Sequence, residues 1–149
     1  MAKEYVGNTK VTPKTWNKKY PLADLPKDKY WDGSYVNDEG TGYSCIGFAR
    51  MVLDATYGKG DPLDTTTFTD ANSVKTAFDD IEKGARVTFK WRPNVSSGQH
   101  GIIVAGKTSK GITAYDCNYL LDAMIRYRTW TWQFILDEFS QVIGGYHHA

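Results

Sequence analysis

"GARVTFKWRPNVSSGQHGIIVAGKTSKGITAYDCNY", residues 84–119, decides the fold class. Its first part alternates Val87, Phe89 and Trp91 with Arg86, Thr88 and Lys90, the period of a strand with one face buried. "HGIIVAGK" (100–107) and "GITAYDCNY" (111–119) read as further strands, parted by a Ser-Lys-Gly turn at 109–111. "MIRYRTW" (124–130) is another candidate strand, and "QVIGGYHH" (141–148) one that would close the sheet.

Upstream of Gly84 the period is helical. From Cys45 to Tyr57, the residues Ile46, Ala49, Val52, Leu53 and Tyr57 form a buried stripe, with Gly58 suited to the C-terminal end. Val74, Ala77, Phe78 and Ile81 repeat at three and four, ended by Lys83-Gly84, with Asp70 or Asn72 as candidate caps. Trp132, Ile135, Leu136 and Phe139 mark a short amphipathic helix after the strands. Helices ahead of a run of neighbouring strands predict an α+β fold, N-terminal helices packed on an antiparallel β-sheet, rather than a doubly wound one. Residues 1–44 read as an irregular arm with turns at "YPLADLP" and "YWDGSY". Trp16, Tyr20, Leu22, Leu25, Tyr30 and Trp31 are too apolar to be left loose, so the arm is expected to wrap the core.

The 149 residues suit one domain, 1–149, large enough for a real core. A net charge of +1 with both signs interleaved gives no basic stripe for nucleic acid. No apolar run approaches the ~18 residues of a membrane span. "MAKEYVGNTKVTPKTW" lacks the apolar core of a signal peptide, which leaves cytoplasmic synthesis, another export route or a removed export signal. Two cysteines permit one disulfide but no disulfide scaffold.

Three groups are candidates for chemistry. Cys45 sits where "GTGYS" gives way to the first helix, where unpaired N–H groups and the helix dipole lower a thiol pKa and can hold an oxyanion. A small buried residue is an equally ordinary role for cysteine. His100 follows the flexible "NVSSGQ" and opens an apolar strand, a place from which a side chain reaches a cleft, whereas His147 and His148 are terminal and read as disordered or a tag remnant. "DCN" puts Asp116 and Asn118 on one strand face and Cys117 on the other. Asp116 is thereby a candidate to orient His100, and Cys117 a poor partner for it. The same alternation disfavours a Cys45–Cys117 disulfide. A polar strand end entering a turn is the plainer reading of "DCN".

In this order the motifs resemble the NlpC/P60–CHAP superfamily of papain-like cysteine amidases and endopeptidases. "YSCIGFARMV" (43–52) is similar to its nucleophile helix, in which Cys-x-Gly-Phe follows a short loop. "GARVTFKW" resembles the strand before the histidine, and "QHGIIVAG" the His-Gly strand. "YDCN" is nearer the CHAP branch, whose histidine is followed one strand later by Glu-x-Asn. The likeness covers about residues 40–120 and implies a papain-like fold. It implies Cys45 as nucleophile, His100 as base, and Asp116 in the acidic place with Asn118 beside it. Tyr43, Ser44, Ile46, Trp91 and Gln99 are then the candidate substrate or oxyanion contacts. Two residues depart from the pattern: Ser44 stands where CHAP enzymes often have Gln, and Asp116 where they have Glu.

The implied activity is cleavage of an amide in peptidoglycan, within the stem peptide or between sugar and stem, by a monomer without a cofactor. Such a protein acts outside the cytoplasm, at a cell wall, secreted or delivered by a phage or effector system. A delivered toxin amidase or deamidase and an inactive wall-binding module are the alternatives. No metal site is expected. Asp32, Asp38 and Glu39 lie upstream, as calcium ligands do in some CHAP domains, but they do not fit an EF-hand loop and read as solvated loop acids. Trp16 and Trp31 suit core packing, with a groove for glycan or peptide as the alternative.

Overall fold

The computed structural model describes residues 31, 33–119 and 124–149. A β-hairpin leads, β1 (Ser34–Asn37) and β2 (Gly40–Tyr43). Helix α1 (Ser44–Thr56) follows directly, then the short strands β3 (Lys59–Pro62) and β4 (Thr66–Thr67), then helix α2 (Ala71–Asp79). Strands β5 (Arg86–Trp91), β6 (Gln99–Thr108), β7 (Gly111–Cys117) and β8 (Ile125–Thr131) come next. Helix α3 (Trp132–Glu138) and β9 (Phe139–His148) end the chain. The main sheet is antiparallel throughout, in the order β3-β9-β5-β6-β7-β8, with β4 also on β9. The architecture is α+β.

Strand alternation divides the core in two. Val87, Phe89, Ile102, Val104, Ile112, Ala114 and Trp130 pack on one face against Val74 and Phe78 of α2 and Ile135 of α3. Ile103, Tyr115, Cys117 and Ile125 pack on the other against Phe48, Ala49, Val52 and Leu53 of α1, with Trp31. The helices therefore cover both faces of the sheet rather than forming one layer. Asp70 caps α2 through a capping box with Ser73, and Thr131 caps α3 through Phe134 N–H.

Several expectations change. Strand β9 does not close an edge: it runs inside the sheet, between β5 and the short β3 and β4. His147 and His148 lie in that strand, and the His148 ring sits 5.2 Å from Tyr57 and its Nε2 3.2 Å from Glu82. His148 pairs with Lys59 of β3, a long-range effect without local signature. Part of the expected irregular arm is the β1–β2 hairpin. Trp31 is buried, whereas Trp16, Tyr20, Leu22, Leu25, Tyr30 and Asp32 lie outside the described residues.

The hairpin fixes the start of α1. Arg86, buried on β5, grips Glu39 of the hairpin turn with two hydrogen bonds of 2.6 Å. Tyr35 and Asn37 donate to Asp54 of α1 at 2.7 and 3.1 Å. Between them the backbones touch: a Cβ on Gly47 would stand 2.2 Å from the Gly42 carbonyl oxygen. Gly47→Ala should therefore displace α1 from the hairpin and lower stability by about 1–3 kcal/mol, as overpacking does. Denaturant unfolding measures this, and an unchanged midpoint would mean that α1 does not rest on Gly42.

Candidate active site

Helix α1 begins without a side-chain cap, unlike α2 and α3. No side chain takes up its first N–H groups, of which that of Ser44 donates to the Gly33 carbonyl at 3.4 Å, and the positive end of the helix dipole is directed at whatever lies before it. Ser44, the residue entering the helix, has φ +49°. Among the described residues, Ser44 and Asn118 (φ +67°) are the two non-glycine residues with left-handed backbone, and both border this site. Such strain persists only where the surroundings impose it.

Gly101 on β6 lets the first turn of α1 come close. A Cβ there would lie 3.3 Å from Ala49 Cβ and 3.4 Å from the Cys45 carbonyl oxygen. Cys45 is consequently held at the end of the sheet beside His100. Its Sγ meets the backbone N–H groups of Ile46 and Gly101, and lies 4.0 Å from the Gln99 carbonyl oxygen.

His100 is buried, on the sheet face that carries Ile102 and Val104. In the β6–β7 register Ile102 pairs with Asp116, so the carboxylate stands on that face one step from the imidazole. Nε2 of His100 and Oδ2 of Asp116 are 2.8 Å apart, and both side chains are almost fully enclosed. The other ring nitrogen, Nδ1, is thereby left for Cys45. Aromatic rings surround the imidazole: Trp91 at 5.2 Å, Tyr119 edge-on at 5.6 Å, and Phe139 stacked at 6.1 Å.

Electrostatics favour an ion pair. Burial resists a charge on His100, but the hydrogen bonds and charges of Asp116 and Cys45 outweigh it and push its pKa up to about 9. Burial likewise resists thiolate, yet the His100 hydrogen bond and charge, with the Gly101 and Ile46 N–H groups, hold the Cys45 thiol below its ordinary range. Ring faces around an imidazolium add to this. Both shifts favour a thiolate on Cys45 beside an imidazolium on His100.

A cleft of about 480 Å³ opens onto the pair. Cys45, His100, Trp91, Gln99 and Asn118 line it. Tyr43, Ser44 and Ile46 do not; Tyr43 is exposed, and Ile46 meets the thiol through its backbone. Strand β7 ends at Cys117, so the strand alternation expected to put Asn118 beside Asp116 stops one residue short. Asn118 has left-handed backbone, and its N–H still donates to the Met124 carbonyl at 3.0 Å, in step with the β7–β8 register. Cys117 faces the other core, its thiol 3.3 Å from the Trp31 carbonyl oxygen, and no disulfide joins it to Cys45. Asp38 and Glu39 are engaged by Lys59 and Arg86. Among the described residues, no group of three or more His, Cys, Asp or Glu is placed to hold a metal.

Three features had no signal in the sequence. Tyr119 and Glu138 line the cleft, and Glu138 arrives there because Phe139, next in the chain, pairs with Trp91 across β5–β9. Arg128 Nη2 lies 3.5 Å from Asp116 Oδ2, and its guanidinium stacks 4.3 Å from the Tyr119 ring centre. No protein-family model, curated protein or solved structure matches the chain, so its chemistry rests on the site itself.

The two thiols should differ sharply in reactivity. Iodoacetamide near neutral pH should alkylate Cys45 well before Cys117, since only Cys45 is both thiolate-stabilised and open to the cleft. Peptide mapping after timed labelling measures it, and equal rates would contradict the ion pair.

Proposed function

We propose that the protein is a cysteine-dependent amide hydrolase of papain-like architecture, with Cys45 as nucleophile, His100 as acid and base, and Asp116 as the group that orients His100. One observation carries this reading: an imidazole held at 2.8 Å by a buried carboxylate shares a cleft with a thiol at an uncapped helix start. The substrate assignment, an amide of bacterial peptidoglycan, draws on the resemblance of residues 40–120 to the NlpC/P60–CHAP superfamily. Either a stem-peptide bond or the bond between N-acetylmuramic acid and L-alanine fits that assignment.

The chemistry follows from the geometry. Cys45 thiolate attacks the carbonyl carbon, and the carbonyl oxygen takes the negative charge among the N–H groups at the helix start. Nδ1 of His100 gives its proton to the amide nitrogen, the C–N bond breaks, and an amine leaves a thioester on Cys45. Neutral His100 then takes a proton from water as the oxygen attacks the thioester. The C–S bond breaks, releasing the acid and restoring the thiolate–imidazolium pair. Asp116 keeps Nδ1 turned to the thiol throughout and stabilises the imidazolium.

A zymogram on purified cell walls, with mass spectrometry of the fragments, tests the reading and identifies the bond. Cys45→Ala should abolish hydrolysis and change stability by no more than about 1–2 kcal/mol, since little volume is lost. Persistent hydrolysis by that variant would overturn the mechanism, and wall binding without cleavage by the native protein would make it a binding module.

The roles on β7 are separable. Asp116→Asn removes the charge that favours imidazolium and should lower turnover by about 10²-fold or more, by analogy with other orienting acids. Asn118→Ala should cost less, and the opposite ranking would move the orienting role from Asp116 to Asn118.

A further inference from the structure

The cleft carries a charge that the mechanism does not use. Glu138 is the one carboxylate among the described residues that line it. Glu138 ends α3, where a carboxylate gains nothing from the helix dipole. Among the described residues no Lys, Arg or His forms an ion pair with it; the nearby guanidinium of Arg128 is turned to Asp116 at 3.5 Å. Among the described residues its one side-chain hydrogen bond comes from Tyr119, whose hydroxyl donates to Oε1 at 2.7 Å and leaves Oε2 without a side-chain donor. Burial and the Glu138 carboxylate both keep that phenol protonated, so it stays a donor and fixes the carboxylate's position.

The side of the cleft is defined too. The Tyr119 ring contacts His100 at 5.6 Å and Trp91 at 5.4 Å, so the Tyr119–Glu138 pair stands on the histidine side of the site. Cys45 enters from the opposite face of the sheet with α1. The leaving amine of the amide must lie on the histidine side, because His100 protonates it.

We propose that Tyr119 and Glu138 form a subsite for a cationic nitrogen on the leaving-amine side of the scissile bond, so that preferred substrates are amides whose released amine carries a second, positively charged amino group. This deepens the hydrolase reading and depends on it for the word "leaving". The charge preference of the cleft does not depend on it.

The first measurement needs no turnover. The native protein and Glu138→Gln are treated with 2-aminoethyl and 2-sulfonatoethyl methanethiosulfonate, a cation and an anion that both modify Cys45. The cation-to-anion rate ratio should fall by about tenfold or more in Glu138→Gln, the scale of a unit charge a few ångströms away at a protein surface. An unchanged ratio overturns the subsite. The second uses the native protein alone, so it stands even if the variant does not fold. Two amides of the same acyl group are compared, one of 1,4-diaminobutane and one of butylamine. A kcat/KM at least about tenfold higher for the diamine amide supports the subsite, the same surface-charge scale applying. Equal values overturn the subsite while leaving the hydrolase intact. A charge-selective thiol with no hydrolysis of either amide keeps the cation site and removes the hydrolase reading.

Discussion

Burying a histidine and an aspartate together, away from water, is costly unless each satisfies the other. The 2.8 Å contact between His100 Nε2 and Asp116 Oδ2 meets that condition, and most of the site follows from it. It commits one face of the imidazole to β7, which turns the other nitrogen toward the end of the sheet. It also supplies the charge that makes an enclosed imidazolium tolerable. The rings of Trp91, Tyr119 and Phe139 then enclose the imidazole and keep solvent from it. Arg128, 3.5 Å from the same carboxylate oxygen, places a second cation beside Asp116.

The thiol is brought to this imidazole by a different device. Helix α1 lies on the far face of the sheet and reaches the site only with its first turn. Three backbone approaches permit that: Gly42 against Gly47, Gly101 against Cys45, and the left-handed Ser44 at the turn into the helix. The Arg86–Glu39 pair holds the hairpin from which the helix springs. An uncapped helix start is ordinarily a weakness. Here the Ile46 N–H at that start favours the thiolate of Cys45, and in the proposed mechanism the same helix start holds the oxyanion.

How much of this was legible in the sequence depends on the range of the interactions. Strands β5 to β8 and all three helices show in local periodicity, because each has one apolar face and burial enforces the pattern. Cys45, His100 and Asp116 were legible because each sits at the end of a patterned element. Asn118 does line the cleft, but the strand alternation used to place it ends one residue earlier, at Cys117. The β1–β2 hairpin, the interior place of β9 and the arrival of Glu138 in the cleft depend on partners distant in the chain. Nothing within "FILDEFSQ" announces that its glutamate lies beside a histidine 38 residues earlier.

In the proposed mechanism Cys45 and His100 form a thiolate–imidazolium pair before any substrate arrives. The ultraviolet absorbance of the thiolate, followed with pH and corrected with Cys45→Ser, measures this most directly. The account predicts a thiolate signal already present at neutral pH, lost only on acidification well below the ordinary thiol pKa of about 8.5. Replacing His100 with Gln should move the transition back toward that ordinary value. A native protein whose thiolate signal appears only as the pH rises through about 8.5 would contradict the account, because the site would then hold a neutral thiol beside a neutral imidazole.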